Sequence, residues 1–155
     1  MIKSELQNTA DGKWLASFTY SHGCSADKVW QVLTDETFVN EWHPELRIYN
    51  LRDGGNLVFD FGDEQVHELP IREFINGKVL GFEWYGSYVR FDVEKDGQLL
   101  MIFKVNEVNE QSLRDLTGWT MVSKAIDATL HENNFTFDKE LAGKIRQEYE
   151  DKLGL

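Results

Sequence analysis

Few residues in this chain have the chemistry for catalysis or metal binding. His22 and Cys24 lie two positions apart and could supply a thiolate with its base, or two metal ligands. Glu41, His43 and Glu45 alternate and cluster oxygen with nitrogen donors. His67 alternates with Leu69 and Ile71, which puts a titratable ring on an otherwise apolar strand face. Structural zinc sites draw their ligands from recognisable pairs, and neither short cluster has a second pair at that spacing. A nucleophilic cysteine needs an adjacent base and a lowered pKa. His22 shares a face with Cys24 only if a strand runs through both. Gly54-Gly55 and Gly62 lack the strand–turn–helix context and the lysine of a phosphate loop. The residues therefore predict no metal, no cofactor and no catalytic set. Glu68, Arg72, Glu83 and Arg90 are the other polar candidates, and His67 is the acid/base if the chain catalyses anything.

The elements that position these residues follow from changes in hydrophobic period. After a polar start, 13–21 sets Trp14, Ala16, Phe18 and Tyr20 against Leu15, Ser17 and Thr19, a half-buried first strand. Ser25 then caps a helix with Asp27 in its first turn and Val29, Trp30 and Leu33 on its apolar face. Asp35 starts a second short helix carrying Phe38, Val39 and Trp42. Pro44 closes it by biasing His43 away from the helical region.

From 46 to 106 the period is two. Strands are predicted at 46–52, 56–61, 65–74, 79–84, 88–95 and 98–105. Asp53-Gly54-Gly55, Gly62-Asp63, Asn76-Gly77, Gly86-Ser87 and Asp96-Gly97 break them into an antiparallel meander. Leu57/Phe59/Phe61, Leu80/Phe82/Trp84 and Val89/Phe91/Val93 each mark one apolar face. Pro70 predicts an edge or a bulge. The longest helical pattern is 113–132, with Leu116, Trp119, Val122, Ile126 and Leu130 on one stripe. At ~1.5 Å per residue it spans roughly 30 Å, enough to cross a small sheet. Asp138 caps a last helix with Leu141, Ile145, Tyr149 and Leu153 four apart, expected to dock on the domain or to form a homodimer contact.

Residues 1–155 fit one domain, with a core over about 13–132 and a helical extension over 133–155. Ten Phe, five Trp and five Tyr suit a broad core or a ring-lined cavity. Sixteen basic against twenty-seven acidic residues give a net charge of −11, which excludes a basic nucleic-acid footprint and opposes anionic membranes. With one cysteine there is no internal disulfide. No run reaches transmembrane length and the first residues lack an apolar segment, so a cytoplasmic location without membrane insertion is expected.

Strand, two short helices, six-stranded meander and long helix, in that order, resemble the helix-grip arrangement of the START and birch-pollen-allergen superfamily. Within it the chain resembles the homologues of the activator of heat-shock-protein ATPase. The residues that carry the resemblance run from Ala26 through Val29-Trp30 to Asp35, then Trp42 and Pro44. Gly54-Gly55 before Leu57, Val79-Leu80-Gly81-Phe82-Glu83-Trp84 and Gly118-Trp119 complete them.

The resemblance implies an α+β fold in which a curved antiparallel sheet of about seven strands wraps a long C-terminal helix. It also implies an internal apolar pocket between the two. On the faces above, the lining residues are Phe59, Phe61, His67, Phe82, Trp84, Phe91, Trp119 and Ile126. The expected function is binding of a small hydrophobic or aromatic molecule without catalysis. A co-chaperone-type module, making a chaperone or homodimer contact, is the alternative; a cyclase or hydrolase acting in the pocket is the second.

Overall fold

The computed structural model describes residues 2–9, 11–62 and 65–155. Its elements run β1 (Ile2–Asn8), β2 (Trp14–Tyr20), α1 (Ala26–Thr34), α2 (Glu36–Trp42), β3 (Leu46–Asn50), β4 (Asn56–Asp60), β5 (Val66–Ile75), β6 (Val79–Trp84), β7 (Ser87–Val93), β8 (Leu99–Val105), α3 (Glu110–Leu130) and α4 (Lys139–Leu153). Neighbouring strands pair antiparallel in the order β1-β2-β8-β7-β6-β5-β4-β3, so the β2–β8 pairing joins the first hairpin to the last strand of the meander, second and third from one edge.

The meander appears as expected, and among the described residues the sheet has eight strands rather than about seven. The addition is β1, in the stretch read as a polar start. Only Ile2 and Leu6 are even half-buried there, and with exposed Ser4 between them a spacing of four fits a helical turn as well as a strand face. Its ladder to β2, Ile2 opposite Tyr20 through Asn8 opposite Trp14, fixes it instead. Asp63, expected in the β4–β5 turn, lies outside the described residues.

Pairing alternation places Leu57, Phe59, His67, Leu69, Ile71, Leu80, Phe82, Trp84, Val89 and Phe91 on the inner face. The β5–β6 register shifts between Ile71 and Glu73, next to Pro70, and pairing with β6 reaches no further back than Ile71. A residue without an N–H is tolerated where the ladder is interrupted. On the outer face Glu73, Gly81 and Arg90 are in register. Gly81 presents no side chain, so Arg90 reaches across it to Glu73 while also chelating Asp92 on its own strand, and Arg72 pairs with Glu83. The Tyr88 hydroxyl occupies the rest of that space, 2.2 Å from where a Cβ on Gly81 would stand.

α3 begins three residues before the stripe suggests, because Asn109 and Ser112 form a reciprocal capping box. Leu116, Trp119, Ile126 and Leu130 are buried against the sheet and α1–α2, and Val122 is half-buried. The opposite side is buried as well. α4 packs across it, with Tyr149 hydrogen-bonded to the Thr120 hydroxyl at 2.7 Å and Arg146 paired with Glu110 at 2.5 Å. Thr117, Thr120 and Thr129 return their hydroxyl protons to the carbonyls of Leu113, Leu116 and Ala125, which lets a polar helix face lie out of water. The last helix therefore docks on its own domain.

Tyr149→Phe removes one buried hydrogen bond while Thr120 keeps its bond to Leu116. The expected cost is about 1 kcal/mol, or roughly 2–4 °C in melting temperature. Thermal unfolding that leaves the melting temperature unchanged would contradict this account of the α3–α4 contact.

Candidate functional site

The inner face and α3 meet in an aromatic cluster centred on Trp119, which is 1% exposed. Its ring lies 5.1 Å from Trp84, 6.0 Å from Phe82, 6.4 Å from Trp42 and 6.5 Å from Phe91. His43, the last residue before Pro44 stops α2, inserts into the same cluster. Its imidazole is 5.4 Å from Phe59 and 5.7 Å from both Trp84 and Trp119. Phe59 continues to Phe61 at 4.4 Å, Phe61 to His67 at 5.8 Å, and His67 to Tyr85 at 5.7 Å.

Of the eight residues expected to line a pocket, Phe82, Phe91, Trp119 and Ile126 are fully buried and Trp84 nearly so. Phe59 is half-buried, and Phe61 and His67 are exposed at the open end of the cluster. Phe82, Trp84, Phe91 and Trp119 thus converge, with Phe59 at their margin. His67 stands at the rim, flanked by Phe61 and by Tyr85, itself 41% exposed.

Tyr85 has φ +46°, a left-handed conformation that costs a bulky side chain of order 1–3 kcal/mol. Contacts with His67 and, at 5.3 Å, with Trp84 hold it there.

Polar atoms in the cluster are unevenly satisfied. The Trp42 indole donates to the Val32 carbonyl at 2.9 Å. The Trp84 and Trp119 indole nitrogens and His43 Nδ1 are buried with no hydrogen-bond partner among the described residues. Each such group costs on the order of 1–3 kcal/mol. Asp115 is near enough for the Trp84 indole to favour its charged form, but the pair falls outside hydrogen-bonding geometry. Burial still raises the Asp115 carboxyl, and the Gln111 amide, donating at 2.9 and 3.0 Å, opposes that rise.

His43 is the most perturbed group in the cluster. Burial of its ring lowers its pKa from the usual 6.5 to about 4, against a smaller opposing effect from Glu45, whose carboxylate lies 3.6 Å from Nδ1. The imidazole is therefore neutral at physiological pH.

Beside His43 lies an apolar groove of about 340 Å³. Trp42, His43 and Pro44 form one wall, Gly118, Met121, Val122 and Ala125 of α3 its floor, and Phe135 and Phe137 the other wall. Gly118 is exposed and has no atom within 4 Å of where a Cβ would stand, so no close approach requires it. A mid-helix glycine costs roughly 1 kcal/mol relative to alanine, and here its effect is to leave the groove open. A larger depression of about 760 Å³ lies elsewhere, where β5 parts from β6. Glu68, Pro70, Glu83 and Tyr88 line it together with His67 and Tyr85, so this open surface meets the aromatic cluster only at its exposed end.

The other clusters read from the sequence resolve differently. β2 ends at Tyr20, so no strand carries His22 and Cys24 on one face. The His22 Nδ1 accepts the Cys24 backbone N–H at 3.0 Å, and the thiol donates to the Leu130 carbonyl at 3.2 Å. Among the described residues no three His, Cys, Asp or Glu side chains gather as metal ligands. In the sequence, His43 stands out only as a metal donor and Gly118 only as part of a motif. The available signal was the aromatic–His–Pro helix stop, Trp42-His43-Pro44.

No family model and no curated protein matches this sequence. Solved structures do. A conserved protein of unknown function from Enterococcus faecalis, EF2215, superposes with a TM-score of 0.82 at 22% identity, over 98% of this chain and 91% of that one. CalU16 from Micromonospora echinospora matches at a TM-score of 0.66 and 20% identity, over 99% and 95%. The Aha1 dimer from Colwellia psychrerythraea matches at 0.57 and 16%, over 76% and 95%. The chain has the helix-grip fold, with α3 as the gripped helix.

The His43 shift has a definite sign. The unfolded chain takes up a proton near pH 6.5 and the folded one near 4, so His43 lowers stability progressively as pH falls through that window and has no such effect above it. In urea unfolding at pH 7.5 and 4.5, the wild type should lose roughly 2–3 kcal/mol more than His43→Phe. Equal acid sensitivity in the two proteins would contradict the buried neutral imidazole.

Proposed function

We propose that this chain binds a small hydrophobic or aromatic molecule and performs no chemistry on it. The observation that carries this reading is the apolar groove ending on His43, whose buried Nδ1 lacks a hydrogen-bond partner among the described residues. Ligand pockets are typically apolar concavities with a few placed polar groups, and about 340 Å³ is within their range. His43 and Trp42 are shared by groove and cluster. None of the eight residues expected to line a pocket lines the groove itself. Phe59, Trp84 and Trp119 contact His43 from the cluster, Phe82 and Phe91 pack on Trp119, Ile126 is buried on α3, and Phe61 and His67 lie at the cluster's open end. The groove opens along the α2 flank of α3, outside the expected pocket between sheet and helix.

A second reading, contact with a protein, is favoured by one observation. Phe61 and Tyr85, 51% and 41% exposed, flank His67 as an apolar tip on the sheet. The likeness to the Aha1 dimer makes a chaperone or a second copy the partner to test.

Gly118→Phe separates the readings. It places a ring in the groove without a backbone clash and replaces a poor helix former with a better one. Titration with 1-ethylnaphthalene, followed by tryptophan fluorescence, should give saturable binding to the wild type and at least tenfold weaker binding to Gly118→Phe. Binding unchanged by that substitution would place the ligand elsewhere. Sedimentation of the wild type and of a Phe61→Ser/Tyr85→Ser variant tests the second reading, which fails if both are monomeric and neither retains the chaperone.

A further inference from the structure

The groove beside His43 is asymmetric in charge. Glu41 and Glu45 both line it, and no lysine or arginine does. Arg47, two residues past Glu45, is committed elsewhere: its guanidinium donates to Asn40 Oδ1 at 3.0 Å and to the carbonyls of Pro44 and Leu46. We infer that the ligand of this groove is a lipophilic cation, an aromatic or alkyl ammonium compound, and that anionic amphiphiles such as fatty acids are rejected. The inference rests on the binding reading above and specifies its ligand class.

The lining and the charge distribution support it. The apolar body of such a molecule has a surface to cover in Met121, Val122 and Ala125, and a thioether adapts readily to irregular shapes. Its cationic head has aromatic partners in Trp42, Phe135 and Phe137, of which Phe137 is 62% exposed, and aromatic faces attract ammonium groups. Glu41 and Glu45 are the nearest counter-charges, and Glu45 already lies 3.6 Å from the unpartnered His43 Nδ1. The imidazole between them is neutral, so it adds no positive charge that would repel a cation or receive a carboxylate. An anionic headgroup would meet two carboxylates and no cationic side chain in a partly desolvated groove. Over longer range, a net charge of −11 raises the local concentration of cations and lowers that of anions.

Three probes of one shape test this: the 1-naphthylmethylammonium ion, neutral 1-ethylnaphthalene and 1-naphthoate, titrated at pH 7.5 and low ionic strength. The ammonium should bind about tenfold more tightly than the hydrocarbon, and the carboxylate at least tenfold more weakly. Glu41→Gln/Glu45→Gln should abolish the ammonium's advantage. Glu94→Gln/Glu148→Gln, with the same change in net charge at exposed positions away from the groove, should keep it. Equal affinity for the ammonium and the hydrocarbon, or an advantage that survives Glu41→Gln/Glu45→Gln, overturns the cation assignment while leaving hydrophobic binding in place. Failure of all three probes to bind the wild type overturns the binding reading itself, and this inference with it.

Discussion

The fold depends on one packing contact, that of the Trp119 indole on α3 with the rings of β6 and β7. Trp84, Phe82 and Phe91 surround it from the sheet and Trp42 from α2, so a single side chain joins sheet, long helix and short helices. Truncating a buried tryptophan typically costs 3–5 kcal/mol, a large share of the 5–15 kcal/mol that separates folded from unfolded domains. The same contact fixes the rotation of α3 about its axis. With Trp119 turned to the sheet, Gly118, Val122 and Ala125 face the α2 flank, and Thr120 faces Tyr149 of α4. Groove and docking face follow from that one rotation.

That constraint explains how α3 is buried on nearly all sides despite a polar sequence. Helices that bury every face are normally apolar throughout. Here the threonines return their hydroxyls to the preceding turn, and the one hydroxyl with a second partner, Thr120, receives it from Tyr149. The groove is the flank that neither the sheet nor α4 covers. Its far wall, Phe135 and Phe137, belongs to the segment that carries the chain from α3 to α4. The extension beyond the long helix therefore both closes one side of α3 and shapes the other.

Much of this was legible from local pattern. The meander was readable because glycine-containing turns punctuate a period of two, and Pro70 marked the irregularity beside Ile71 and Glu73. β1 was not, since a strand held by its ladder at a sheet edge needs no apolar alternation. The convergence of Phe82, Trp84, Phe91 and Trp119 followed from strand faces and helix stripe. His43 did not, because its environment is assembled from Phe59, Trp84 and Trp119, which lie 16, 41 and 76 positions away and reach it only through tertiary packing. The role of Gly118 was hidden for a related reason: it lies in the space left around a residue, which sequence does not record.

The most direct test of the central claim is a titration of 1-ethylnaphthalene followed by the indole and backbone N–H resonances. The five tryptophans supply their own controls. The account predicts saturable shifts at the Trp42 indole and at the amides of Gly118, Met121, Val122 and Ala125, with the Trp14 and Trp30 indoles unmoved. Shifts confined to Tyr85, Gly86 and Tyr88 at the outer depression, or no shifts up to the probe's solubility, would contradict it.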